Sequence, residues 1–176
     1  MASVPITLRN RIYRLRGDCA GVVMTEFAVW TSGLLLALMV GLDFGGYYIA
    51  RGSINEGISA AAVKAFDGRD EVDFDAIPAY VRNMADNQVL DVTVSCNGVS
   101  GACTNNENRT CACLRNDATY AEATCGEICT GSNVTENSVA GYYLTIRAAQ
   151  TYSPVLVPQG MLSGTQMSQA TTIRLE

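Results

Sequence analysis

Between Phe27 and Leu42 the chain carries no charged residue, and its apolar character runs from Val22 to Ala50 with only Glu26 and Asp43 interrupting it. A bilayer core is crossed by about 20 residues of helix, so this stretch predicts one membrane span with length to spare. A cleaved secretory signal has a shorter apolar region, about 7–15 residues, ending at a small-residue site. Here the run closes on Gly45-Gly46-Tyr47-Tyr48-Ile49-Ala50-Arg51, which sets aromatic residues where an interfacial belt belongs. A retained anchor is the better reading, and it leaves room for one modest core in the 176 residues.

Charge divides around the span. Residues 1–21 carry Arg9, Arg11, Arg14 and Arg16 against Asp18, a balance of +3, whereas residues 67–176 carry −7. Arginines flanking an apolar span are retained on the cytoplasmic side. The expectation is a cytoplasmic leader over 1–21, a transmembrane helix with an amphipathic extension over 22–66, and an exported acidic domain over 67–176. No basic surface for nucleic acid is present. The absence of histidine removes the commonest general base and a common metal ligand.

The cysteines follow the same division. Cys19 lies in the leader, while Cys96, Cys103, Cys111, Cys113, Cys125 and Cys129 crowd into an insertion over residues 96–129. An even set outside the cytoplasm predicts disulfides. Six cysteines allow fifteen pairings; excluding a bond between near neighbours Cys111 and Cys113 leaves twelve. A zinc site is disfavoured, because the block lacks histidine and paired Cys-x-x-Cys knuckles. The acids at Asp70–Asp75 lack a calcium-loop pattern and read as solvated charge leading into a helix. The sequons at Asn108 and Asn133 read as chance. No metal and no cofactor are expected.

Beyond Arg51, Ile54, Ile58, Ala61 and Ala65 recur at helical spacing, so the helix continues and ends near Asp67-Gly68. A short second helix follows with Ile77, Tyr80, Val81 and Met84 on one side and Pro78 in its first turn. Leu90, Val92, Val94 and Cys96 alternate with polar residues, as do Tyr142, Leu144, Ile146 and Ala148; both predict half-buried strands. Thr165 to Leu175 is a third, weaker strand. The fold class expected is α+β: a long N-terminal helix leading into a small antiparallel sheet with a disulfide-rich insertion.

Gly21-Val22-Val23-Met24-Thr25-Glu26-Phe27 sits between the arginines and the apolar run. A carboxylate near the apolar core is costly and calls for compensation. Cleavage after Gly21 would place the new amino group of Val22 one helical turn from Glu26, or within reach of a neighbouring subunit's glutamate. The arrangement resembles the processing site of type IV pilin-like proteins. With Glu26-Phe27-Ala28, Leu34-Leu35-Leu36, Asp43-Phe44-Gly45 and Ala60-Ala61-Ala62, residues 15–66 resemble the TadE-like family, small pilin-like components of the tight-adherence (Tad, or Flp) pilus machinery. Tyr152-Ser153-Pro154-Val155-Leu156-Val157-Pro158 and the closing strand resemble that family's C-terminal end. The resemblance implies a pilin-like architecture, cleavage by a membrane prepilin peptidase, and contact with other pilin-like subunits and assembly proteins at a bacterial inner membrane. Many relatives carry a proline in the early membrane helix where this chain has Trp30-Thr31-Ser32.

Gly33, Ala37, Gly41 and Gly45 repeat at every fourth residue, and Ser53, Gly57, Ala61 and Ala65 resume the row after Ile49. Small residues so spaced let another helix backbone approach closely, although they are also frequent in membrane helices generally. No catalytic residues stand out: nothing activates the scattered serines, and Cys-x-x-Cys beside a βαβ pattern is missing. The expectation is a non-enzymatic minor pilin or pseudopilin. The rivals are an uncleaved, membrane-anchored binding protein using the cysteine-rich loop, and a filament-forming major subunit.

Overall fold

In the computed structural model, described over residues 20–105, 108–156 and 164–176, a single helix organises the chain. Helix α1 (Ala20–Asp67) is continuous, with no break between the apolar run and its extension. It stops at Asp67, where the amide of Gly68 still donates to the carbonyl of Lys64 at 3.1 Å and the chain turns away. Helix α2 (Ile77–Met84) follows, with Pro78 in its first turn and Ile77 and Val81 buried. Asp73 accepts a hydrogen bond from the Ala76 amide just ahead of that helix. The acidic linker therefore leads into a helix start, as solvated acids do.

The main sheet holds β1 (Asp91–Cys96), β2 (Val99–Ser100), β5 (Tyr143–Thr151) and β6 (Gln166–Arg174) in the order β2-β1-β5-β6, antiparallel throughout. A small second sheet pairs β3 (Ala112–Leu114) with β4 (Tyr120–Glu122). The three expected strands are present to within a residue or a few at their ends. The hairpin from β1 to β2 turns on Asn97 and Gly98, whose φ values of 48° and 82° are the paired positive angles that a two-residue hairpin needs.

Alternation in β5 decides where the core lies. Leu144, Ile146 and Ala148 point to one face, meeting Val92 and Cys96 of β1 and Met167 of β6. The distal half of α1 covers that face, packing against α2 and β6. Ile54, Ile58 and Ala61 are each 1% exposed there. Full burial of each isoleucine stabilises by roughly 1.5–3 kcal/mol relative to leaving it in water. The fold is α+β, with a long apolar helix ahead of an antiparallel sheet.

β5 lies lengthwise beside α1, and this sets the axis of the domain. Tyr142, before β5, sits under the Arg109 guanidinium, which also bonds the backbone of Arg69 just past α1. Tyr152, after β5, donates to the carbonyl of Asp43 near the middle of α1. Strand rise over this interval gives about 33 Å and helix rise from Asp43 to Asp67 about 36 Å, so the two run in step. The cysteine-rich insertion thus lies at the end of the domain farthest from the apolar run.

Candidate functional site

The helix segment before Asp43 is exposed along nearly its whole length. Leu, Val and aromatic side chains from Val22 to Leu42 are exposed, Trp30 by 74% and Leu36 by 65%. Their apolar surface is therefore not a core surface. α1 is long and apolar enough to cross a membrane, and very little of its apolar stretch is buried within the protein. Two of its hydroxyls are satisfied within the helix: Thr25 donates to the Val22 carbonyl and Ser32 to the Ala28 carbonyl, both at 2.8 Å. Such back-bonding lets a hydroxyl sit in a hydrocarbon environment without an open donor.

Gly21, Val22, Glu26 and Phe27 lie in the first turns of α1, all exposed. Glu26 makes no hydrogen bond or ion pair with another described residue. The leader arginines Arg9, Arg11, Arg14 and Arg16, and Cys19, lie outside the described residues, as do Val157 and Pro158.

Along the small-residue row, a Cβ built on Gly33, Gly41 or Gly45 would meet nothing within 4 Å. One built on Gly57 would lie 3.0 Å from the Val81 carbonyl and 3.3 Å from Ala85 Cβ. The fourfold spacing drifts around a helix of 3.6 residues per turn, so Gly41 and Gly57 stand about 160° apart. The two parts of the row are different surfaces. The distal part seats α2 of the same chain, and the proximal part is open.

Where the two halves of α1 meet, the structure contains a polar clasp that the sequence reading did not assemble. Asp43 is only 3% exposed, the one charged residue buried as a whole among the described residues. Its Oδ1 accepts from the Val155 amide at 3.0 Å, and its Oδ2 accepts from the Leu156 amide at 3.0 Å. The Tyr152 hydroxyl donates to the Asp43 carbonyl at 2.8 Å, and its ring meets Tyr47 edge-on with centroids 5.4 Å apart. Burial, and then the nearby Asp43 carboxylate, holds the Tyr152 phenol above its ordinary pKa. Gly46 makes room for this contact, since a Cβ there would stand 3.1 Å from the Tyr152 oxygen. The segments Asp43-Phe44-Gly45 and Tyr152–Leu156, more than a hundred positions apart, are thereby joined. The signal was available, because the reasoning that singles out Glu26 as a carboxylate needing compensation applies equally to Asp43.

All six cysteines of the insertion are bonded: Cys96 to Cys103, Cys111 to Cys125 and Cys113 to Cys129. Cys111 and Cys113 flank Ala112 in and beside β3, and both reach the 125–129 segment, so two adjacent rungs tie one strand to one loop. Backbone bonds continue the pattern, with Cys129 donating to Ser138 and Ala112 exchanging bonds with Gly141. The insertion is thereby fixed to the base of β5. Asn105 joins it to the linker, its amide both accepting from and donating to the Val72 backbone at 3.0 Å. Cys111, Cys125 and Glu176 come within 4.8 Å of one another, but the two sulfurs are bonded to each other and offer no thiolate pair to a metal.

At the same distal end, a cleft of about 1160 Å³ is lined by Arg69, Asp70, Arg109, Arg174 and Glu176, among others. The Arg109 side chain is 5% exposed, faces the Glu176 carboxylate at 3.9 Å and lies over the Tyr142 ring. That ion pair ties the insertion to the end of the closing strand and reads as a latch between them.

Fold and site together define a class: a cystine-stapled α+β domain carried on a long helix whose proximal half is apolar and uncovered. Comparison with known proteins adds nothing to this, since no family model, no curated protein and no solved structure matches the chain.

Proposed function

We propose that the protein is a minor pilin or pseudopilin of a Tad-type pilus apparatus. It is anchored by the proximal half of α1 with its N-terminus in the cytoplasm, and its domain lies outside the bacterial inner membrane. The observation that carries this reading is the division of α1: residues from Val22 to Leu42 are exposed and apolar, while Ile54, Ile58 and Ala61 are buried in their own domain. A helix so divided holds one surface for its own domain and leaves another for lipid and neighbouring subunits. The TadE-like resemblance of residues 15–66 supplies the specific role. Under it, a prepilin peptidase cuts between Gly21 and Val22, Glu26 directs processing or docks a neighbour, and Gly33, Ala37, Gly41 and Gly45 receive a neighbouring helix. The three disulfides are compatible with an oxidising compartment. The role is structural rather than catalytic, without cofactor.

N-terminal sequencing of protein purified from its native host tests this directly. The expected mature chain begins at Val22, and any other mature start removes the processing claim. Co-purification with other pilin-like subunits, weakened by Gly41→Ile, tests assembly.

The distal cleft favours a second reading, an uncleaved anchored protein whose insertion recognises an extracellular ligand. It predicts an intact leader and no co-assembly. Abundance in sheared surface fibres would instead indicate a major filament subunit.

A further inference from the structure

The clasp at Asp43 places a second apolar element beside the end of the apolar run. At 1.5 Å per residue, Val22–Leu42 extends about 30 Å, the thickness of a bilayer's hydrocarbon core. Asp43 is the next residue, so whatever its carboxylate holds is set at the level of the domain-side bilayer boundary. It holds the backbone of Val155 and Leu156. The amides of that segment are turned inward to the carboxylate, while its side chains are turned outward, Val155 being 86% and Leu156 44% exposed. On the helix at the same level, Phe44, Tyr48 and Ile49 are also exposed. Tyr47, Tyr48 and Tyr152 stand together in the zone where amphipathic rings settle at a membrane surface.

From this placement we propose that Tyr152–Leu156 is a second membrane contact, with Val155 and Leu156 inserted among the headgroups and upper acyl chains of the domain-side leaflet. The partner is the lipid bilayer itself, and the argument for it is continuity with the apolar surface of α1. The inference rests on the reading of α1 as an anchor. A helix alone leaves a domain free to tilt and rotate about its exit point. A second contact, fixed to the helix by two amide bonds and a tyrosine, holds the sheet at one angle to the membrane and the cysteine-rich insertion at one height above it. Asp43 acts here as a positioning residue. Burying its carboxylate against two amides also satisfies a charge that would otherwise lie open at the edge of the hydrocarbon.

The single tryptophan, Trp30, makes the test clean. The full chain is reconstituted in phosphatidylcholine vesicles containing lipids brominated either near the headgroup or deep in the acyl chain. Wild-type Trp30 reports the anchor. In a Trp30→Phe background, Val155→Trp reports the segment, and Val99→Trp, on β2 at the far end of the domain, reports a surface away from lipid.

The expected result is quenching of the tryptophan at 155, stronger with shallow than with deep bromines, together with a blue-shifted emission. The tryptophan at 99 stays unquenched. Adding Asp43→Ala should abolish quenching at 155, whereas Asp43→Asn, which keeps one acceptor, should retain part of it. Asp43→Ala in the otherwise wild-type chain should leave Trp30 quenched. Emission at 155 as insensitive to bromines as at 99, with Trp30 quenched, overturns the second contact and leaves the anchor standing. A blue shift at 155 that depends on protein-to-lipid ratio and not on bromines assigns the segment to a second copy of the chain and equally overturns it. An unquenched wild-type Trp30 removes the anchor and this contact together.

Discussion

The two halves of α1 belong to one unbroken helix and have opposite surroundings. Before Asp43, leucines, valines and Trp30 stand in the open; after Ala50, isoleucines and alanines are sealed beneath a sheet. The residues themselves account for the division. The proximal half is apolar on every side, so no face of it is suited to water and none is singled out for a protein core. The distal half carries Arg51, Asn55, Glu56 and Ser59 on faces away from Ile54, Ile58, Ala61 and Ala65, so only one stripe seeks cover. One continuous helix thus joins an uncovered apolar stretch to a covered amphipathic one, and Asp43 marks the crossing from one to the other.

That contrast can be broken at several points. The largest effect is expected for Ile58→Ala, which removes a fully buried side chain and should destabilise the domain by about 2–5 kcal/mol. Leu36→Ala, of comparable size on the exposed half, should change domain unfolding by less than about 0.5 kcal/mol. Urea unfolding in detergent, followed by circular dichroism of the sheet, measures both. Equal losses would mean that the proximal half also packs on the domain.

Next in size is replacement of Cys113 and Cys129 together by alanine, expected to cost roughly 2–4 kcal/mol by freeing the unfolded chain. The exchange behaviour of α1 amides before Asp43 should not change. Uniform loss of protection along the whole helix would contradict the division.

Gly57→Val forces a side chain against Val81 and Ala85 and should cost about 1–3 kcal/mol, read as a lowered melting temperature. Gly41→Val meets nothing within 4 Å and should leave the melting temperature alone while weakening subunit crosslinking.

The smallest effect concerns pH at the crossing. Because the docked Tyr152 phenol has a raised pKa, the neutral form is favoured in the folded state. Its contribution is complete below the ordinary phenol value of about 10 and is lost progressively as pH rises above it. A stability profile between neutral and strongly alkaline pH should show that loss, and Tyr152→Phe should remove it.

Much of the architecture is written locally. The end of α1 at Asp67, the short helix around Val81 and the strands through Leu144 and Val92 follow from periodicity and from glycine at a helix end, signals that span a few residues each. The minor strands are another matter. β2, β3 and β4 are two or three residues long, too short to show alternation, although Asn97-Gly98 is a hairpin signal by its chemistry. The disulfide partners were open among twelve arrangements, because spacing along the chain says little about which sulfurs the fold brings within reach. Arg109, read from sequence only as the middle of a sequon, turns out to be buried between Tyr142 and Glu176.

What the sequence determined by itself is the apolar run, the helix that carries it, the cysteine block and the alternating strands, since each depends on neighbours within one or two turns or pleats. Tertiary structure alone decided which half of the small-residue row is covered, which cysteines bond, and that Asp43 grips Val155 and Leu156. Those outcomes depend on where distant segments lie in space. A carboxylate in an apolar helix announces that it needs partners, but only the closing of β5 along α1 brings the Val155 and Leu156 amides to it.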